Sequence, residues 1–470
     1  MSRSSVVVWF RRDLRVDDHP ALVAAATEAA AAGGRVVPLF VVEPGLAAAA
    51  GANRCRYAAT CLDALDAEIE GHLVLRSGPA ATAVPRLAAE VGASLVVVTG
   101  DHAPAGVRRD RAVGWALAAA GRRLVAVGSP YAVAPGTLRT AAGRPFAAFT
   151  PFRRAWQVHG WPEPVPRPVG VRWGGAPSDV GTDALAGWGR GTPAATLPPG
   201  GPLAAADLLE RFVADGLATY DRDRDRPDLA GTSRLSAPLR FGCLHPRQVL
   251  ARLAGAALAH GPAPGGGFPG DLPPGAEAFA SELAWRDFYA DVLAHHPRSA
   301  WEPLSPVGRY VRVDSGPVAD ERFAAWAVGR TGFPLVDAGM RQLLAEGWMH
   351  NRVRMVAASL LVKDLHLDWR RGAGWFLDHL VDGDVASNNH GWQWVAGTGT
   401  DAAPFHRVFN PVLQQARVDP EGTYVRRYVP EAGGFGYPAP IVDHAAERAD
   451  ALARWDEARR AAAAAAQVRR

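Results

Sequence analysis

The sequence predicts a doubly wound, parallel α/β sheet at its N-terminal end and an all-helical part at its C-terminal end. Three observations carry this reading. Over residues 5 to about 130, short apolar, β-branched runs alternate with Ala-rich stretches long enough to be crossover helices. From about residue 203 onward, apolar residues recur three and four apart instead. Between these halves lies a segment rich in Pro, Gly and Trp.

The strands are expected at VVVWF (6–10), RVVPLFVV (35–42), HLVLR (72–76), SLVVVTG (94–100) and RLVAVG (123–128). Helices are expected between them at 20–32, 54–70, 79–92 and 107–120. This order defines a Rossmann-like half over residues 1–130. No GxGxxG turn follows the first strand, which argues against a dinucleotide there. Residues 131–202 read as an interdomain connector, because WPEPVPRPVG and GTPAATLPPGG offer little to regular structure. Residues 203–470 read as a helical domain containing LLERFVADGL, MRQLLAEGW and VRMVAASLLVKDL. Within it, HGPAPGGGFPGDLPPG (260–275) reads as a surface loop, and the Ala-rich end as a fraying helix.

Composition excludes several classes. A chain of 470 residues exceeds one ordinary core, and 48% apolar with 21% charged residues is a globular mixture. No run of roughly 18 apolar residues is present, so no membrane span is expected. The opening MSRSSVVVWFRRDLR holds an apolar run too short for a secretory leader, and a cytoplasmic location is expected. Cys55, Cys61 and Cys243 contain no CxxC pair, and three thiols cannot ligate a four-thiolate cluster. His245, His295 and His296 lack partners at metal-ligand spacing, so no metal is expected. Neither GxSxG nor a Walker sequence occurs, which disfavours hydrolase and NTPase readings. The formal charge of +4 does not announce nucleic acid by itself, and nearly all cations are Arg, with Lys363 the sole lysine.

Chemistry-bearing residues concentrate in the helical half. On one expected helix Glu282, Trp285, Arg286 and Tyr289 fall at i, i+3, i+4 and i+7, placing an acid, a cation and two aromatic rings on one face. That stripe suits a cavity wall that stacks on one flat ring and hydrogen-bonds another. A second cluster, Trp348 to Met355, puts Asn351, Arg354 and Met355 on a common face. A third, Asp382-Gly383-Asp384 followed by Ser387 to Trp394, is so dense in turn formers that it reads as an ordered polar, aromatic loop. Finally, Thr232-Ser233-Arg234-Leu235-Ser236 after Gly231 could present hydroxyls and N–H groups to a phosphate at a helix start.

The segments VVWFRRDLRVDDHPAL, GTSRLSAPLRFG, SELAWRDFY, GWMHNRVRM, DWRRGAGWF and DGDVASNNHGWQWVAGTGTDAAPFHRVFNP, in this order, resemble the photolyase/cryptochrome family over essentially the whole chain. The type resembled is the class I cyclobutane pyrimidine dimer photolyase. The resemblance implies FAD, reduced and U-shaped, inside an all-α C-terminal FAD-binding domain. It implies that Tyr220, Thr232, Ser233, Arg234, Leu235 and Ser236 hold phosphates. It also implies that Phe279, Arg286, Arg354, Asp382, Gly383 and Asp384 line the cofactor, with Asn388 facing flavin N5. The protein would then tune a cofactor that carries the chemistry.

The implied reaction is light-driven electron transfer from the reduced flavin to a pyrimidine dimer flipped out of UV-damaged DNA. Trp285 and Trp394 would sandwich the dimer, Glu282 and Asn351 would bond its base edges, and Met355 would pack against it. Arg224, Arg286, Tyr289, Arg352 and Gln414 would meet the DNA strand. A single His350, followed by Asn351, disfavours (6-4) repair, and Asn388 with Trp285 disfavours a plant-type cryptochrome. The alternative reading is a cryptochrome-like blue-light sensor without repair. A second, antenna chromophore is implied beside the sheet. Folate binders carry an Asn-Glu pair where this chain has Ala105-Gly106, so 8-hydroxy-deazaflavin is favoured over methenyltetrahydrofolate. Of the family's three-tryptophan chain that reduces the flavin, Trp392 and Trp369 match two links, and Gly316 stands where the third is expected. A monomer with no obligate protein partner is expected.

Overall fold

The computed structural model describes residues 5–258, 272–401 and 407–468. Five parallel strands form one sheet in the order β3-β2-β1-β4-β5: β1 (Val6–Phe10), β2 (Val36–Val42), β3 (Val74–Ser77), β4 (Leu95–Val98) and β5 (Arg123–Ala126). Four lie within the expected segments, and β3 runs one residue past its own, to Ser77. β1 pairs with β2 in the register Val6↔Val36 and with β4 in the register Val6↔Leu95. It is buried along its whole length, which explains why VVVWF is continuously apolar rather than alternating. The helices α1 (Pro20–Ala31), α2 (Pro44–Ala49), α3 (Ala52–Glu68), α4 (Ala80–Glu90) and α5 (Pro104–Ala119) fill the crossovers. The short α2 has no counterpart in the sequence reading. Because the strand order reverses about β1, the carboxyl ends of β1, β2 and β4 frame a crevice.

The connector is more ordered than its composition suggests. Helices α6 (Phe149–His159) and α7 (Thr182–Ala186) lie within it. In α6 the residues Phe149, Phe152 and Trp156 repeat at helical spacing and are buried, a local pattern hidden by averaging over Pro and Gly. The rest is fastened by isolated contacts. Asp287 accepts from Val133 N and from Trp156 Nε1, both at 3.0 Å, and Asp291 accepts from Gly136 N at 2.7 Å. Burial raises the Asp287 carboxyl to about 6.

Helices then follow one another: α8 (Pro202–Arg211), α9 (Tyr220–Asp223), α10 (Ser236–Phe241), α11 (Pro246–Leu258), α12 (Pro274–His295), α13 (Pro317–Ala327), α14 (Pro334–Glu346), α15 (Asn351–Ser359), α16 (Trp369–His379), α17 (Val385–Ala396), α18 (Pro411–Val418), α19 (Thr423–Tyr428) and α20 (His444–Val468). Among the described residues no strand follows Ala126. The surface loop expected over 260–275 lies outside the described residues up to 271, and residues 274–275 already belong to α12. One apolar core runs without a break from Phe10 and Leu14 under the sheet, through Phe241 and Leu244, to Phe279 and Phe288. A second lies among α13 to α17. Among the described residues no helix is long and apolar enough to cross a membrane.

Candidate functional site

Three helices present the same spacing to one cavity of about 310 Å³. From α12 come Phe279, Glu282, Leu283 and Arg286, at i, i+3, i+4 and i+7. From α15 come Asn351, Arg354, Met355 and Ala358 with the identical offsets. From α17 come Asn388, Gly391 and Val395, continuing from Asp384 at its N-terminus. Ser233, Leu235 and Ser236 at the start of α10, Asp382 and Gly383, Trp392 and Arg12 from the sheet side complete much of the wall.

The segment 385–396 is therefore a helix, and the expected polar loop is corrected. Asp384 accepts from Ala386 N at 3.0 Å and Ser387 N at 3.2 Å, which starts the helix firmly. Its buried polar residues are committed to tertiary bonds: Asn389 to Ala300 O, His390 Nε2 to Ser299 Oγ at 2.8 Å, and Gln393 to Ser299 O at 2.7 Å. Such bonds outweigh propensity, which differs by only about 0.7 kcal/mol among ordinary residues. Reading 385–396 as a loop also hid the stripe Asn388, Gly391, Val395, so Ser387, Gly391 and Val395 went unrecognised. Arg12, Leu239, Arg240, Phe376 and Leu380 line the cavity too, and only long-range folding brings them there.

The electrostatics centre on Asp384. Arg12 donates to it at 2.7 Å, and the Arg240 guanidinium stands 3.6 Å away. Burial pushes this carboxyl up, but Arg12, Arg240 and Arg286 pull harder and hold it well below the usual carboxylate range. Burial and the neighbouring Arg12 bring Arg240 down to about 9. Arg354 donates to Asp382 at 2.9 Å. Burial lowers His350 to about 4. The neutral ring then accepts the Arg352 N–H at 3.2 Å and caps α15. Burial also raises Glu282, against the pull of Arg224, which donates to it at 2.7 Å.

The remaining expected residues are distributed around this cavity. Trp285 and Tyr289 leave the Glu282–Arg286 stripe: Trp285 stacks on Phe149 and Tyr289 on His390. Tyr220 is buried edge-on against Phe279, outside the wall. Thr232 and Arg234 also lie outside it. Arg234, at φ +55°, pairs with Glu346 at 3.0 Å and sits 3.5 Å over the Trp348 ring. Arg286 donates to Pro130 O and Leu239 O. Trp392 reaches the wall, and its ring neighbours are Trp326 and Phe376, whereas Trp369 is buried on α16 without ring contact to Trp392.

Two further hollows adjoin. A groove of about 520 Å³ shares Met355 with the cavity and carries Arg352, Trp394, Arg407, Gln414 and Arg417. A second cavity of about 500 Å³ lies at the carboxyl ends of β1, β2 and β4. Trp9, Arg11, Arg54, Arg109, Ala105 and Gly106 line it, and it shares Arg12 and Arg240 with the first.

Fold and cavities define a parallel-sheet half joined to a helical half that encloses a charged cavity beside a basic groove. Residues 6–169 match the family model for DNA photolyase, and residues 279–436 match that for the FAD binding domain of DNA photolyase. The chain is 41% identical to a deoxyribodipyrimidine photo-lyase of Streptomyces griseus, over 97% of this chain and 99% of that one. It is 37% identical to one of Halobacterium salinarum, over 96% and 98%. The crystal structure of a bacterial class III photolyase from Agrobacterium tumefaciens superposes with a TM-score of 0.87 at 34% identity, covering 98% of both chains. The chain belongs to the DNA photolyase family.

Proposed function

We infer that the chain is a light-dependent deoxyribodipyrimidine photo-lyase that binds FAD and repairs cyclobutane pyrimidine dimers in UV-damaged DNA, working as a cytoplasmic monomer. The observation that carries this reading is one cavity bearing two kinds of group. Its interior offers charged and amide partners suited to a flavin, and its other residues, Glu282, Asn351 and Met355, suit a base.

The donor set fits FAD. Ser233, Ser236 and Arg12 offer hydroxyls and a guanidinium to phosphates, and Asp382, Asp384 and Arg354 offer partners to ring and ribose. The buried Arg12 Nε has no hydrogen-bond partner among the described residues. A Cβ at Gly391, on the same wall, would meet no atom within 4 Å, so there is room beside it for a flat ring. Asn388 commits its Nδ2 to Ala373 O at 3.1 Å and Asn389 Oδ1 at 2.8 Å. What it offers the cavity is its amide oxygen, the correct partner for a protonated N5. Bound in its reduced form, FAD supplies under light the electron that opens the dimer and takes it back afterwards.

The protein's own part is to extract and hold the lesion. Arg352, Gln414, Arg407 and Arg417 in the groove suit a DNA strand, with Trp394 among them as a wedge or stacking surface. Arg352 and Arg224 are already paired, with Asp225 and Glu282 respectively, so each would have to divide its guanidinium between that carboxylate and a phosphate. Glu282, raised by burial, and Asn351 bond base edges. The sheet-side cavity is proposed for the antenna, 8-hydroxy-deazaflavin. Its lining of arginines suits an anionic chromophore, and Gly106 lets the Asp101 carboxylate lie where any side chain would meet it.

Trp285→Ala tests this reading of the pocket. Affinity for a dimer-containing oligothymidine should fall by about 1–3 kcal/mol while FAD stays bound, since one base-stacking aromatic is lost. Unchanged affinity in a dark binding assay would remove Trp285 from the pocket.

A further inference from the structure

The two faces of Trp285 have different surroundings. One is covered by the phenyl ring of Phe149, with ring centroids 3.6 Å apart and planes 10° from parallel. Phe288 meets the indole edge-on at 5.7 Å, and the Tyr289 ring lies 5.2 Å away, tilted by 38°. Trp285 is half-buried, so part of its surface stays open, whereas Phe149 is buried.

Phe149 is itself pinned. Its N–H donates to Asp401 Oδ2 at 3.0 Å, the carbonyl of Ala147 accepts from Thr400 Oγ1, and its ring meets Phe288 edge-on at 5.8 Å. Thr400 and Asp401 lie just beyond α17, the helix that carries Trp394 in the basic groove. The start of α6 thus joins the two tryptophans. It stacks on one and is bonded to the chain that leaves the other.

We propose that Phe149 backs Trp285, leaving the indole one open face for a pyrimidine dimer, and that with Asp401 it fixes the separation between Trp285 and Trp394. This rests on the reading that Trp285 stacks on the dimer. A backed indole has lost its rotamer freedom before binding, so that cost does not fall on association. The face-to-face partner also prevents the ring from turning its open side inward. Phe149 acts through Trp285 and is a positioning residue.

The test measures dark binding of a dimer-containing oligothymidine to the flavin-loaded full chain. Phe149→Ala and Phe149→Leu should each weaken it roughly three- to tenfold, the range of one aromatic pair. Phe149→Tyr, which keeps the ring, should bind normally. In a Trp285→Ala background, Phe149→Ala should cause no further loss, an effect that general destabilisation would not produce. Flavin content and thermal midpoint identify any variant that fails to fold, and Asp401→Asn then probes the same brace from outside the aromatic cluster. If Trp285→Ala weakens binding and Phe149→Ala does not, the proposal fails while the pocket stands. Tighter binding by Phe149→Ala would mean that the phenyl ring occupies the seat of the base, which also overturns it. If Trp285→Ala binds normally, the pocket reading fails and takes this proposal with it.

Discussion

Asp384→Asn is expected to yield a folded protein that retains little flavin. Asparagine is as good an N-cap as aspartate, so α17 should still start at residue 385. What is lost is charge. Arg12 and Arg240 flank Asp384, and Arg240 is already brought down to about 9 by burial and by Arg12 with the carboxylate in place. Without it, two guanidiniums share a low-dielectric wall and must move apart. Breaking a fully buried ion pair costs about 3–5 kcal/mol. The Arg12 and Asp384 side chains are 20% and 17% exposed, so solvent screening brings the expectation to about 2–3 kcal/mol, or roughly 30- to 150-fold in flavin affinity. The flavin-to-protein absorbance ratio after purification measures it. A wild-type ratio would mean that Asp384 neither touches the cofactor nor shapes its cavity.

Trp392→Phe is expected to abolish photoreduction of oxidised flavin while sparing repair by protein reduced beforehand. Trp392 lies on the cavity wall, and phenylalanine is far harder to oxidise than tryptophan. Behind Trp392 the path is open to assignment. Trp369 matches the family's second link, but the rings neighbouring Trp392 are Trp326 at 6.0 Å and Phe376 at 5.0 Å. Flash photoreduction of Trp369→Phe and Trp326→Phe separates the two. A yield that survives Trp369→Phe and falls in Trp326→Phe would pass the second step to Trp326. The third link cannot be restored simply. Gly316 caps α13 at φ +90°, a conformation that a tryptophan there would adopt only with strain. Photoreduction is therefore expected to be slower or lower in yield than in three-tryptophan relatives. Unaltered photoreduction in Trp392→Phe would place the entry point elsewhere.

The sheet was legible because each strand is a short apolar run, and β1 to β4 are buried along most of their length, whereas the edge strand β5 is largely exposed. The faces of α12 and α15 were legible because Glu282 and Arg286, and Asn351, Arg354 and Met355, keep helical spacing across unlike chemistries. α17 was not legible. Its Asn389 and His390 are weak helix formers locally, and their bonds to residues 299–300, like that of Gln393, exist only after folding. Arg12 and Arg240 were missed as cavity residues for a related reason: nothing local distinguishes an arginine that will meet Asp384 from one in solvent. The turn of Trp285 toward Phe149 belongs to the same class, because its partner stands 136 positions away in a stretch that composition marked as connector. Phosphate roles for Tyr220, Thr232 and Arg234 came from the resemblance, and beside them Ser233, Leu235 and Ser236 line the cavity.

The most direct test of the central claim is photorepair. The FAD-loaded, chemically reduced protein is mixed with a dimer-containing oligothymidine, and recovery of the thymine ultraviolet band is followed in light and in darkness. The account predicts recovery in light with many dimers repaired per protein, and none in the dark. A protein that binds the dimer and holds reduced FAD, yet leaves every dimer intact under illumination, would contradict it and favour a light sensor instead.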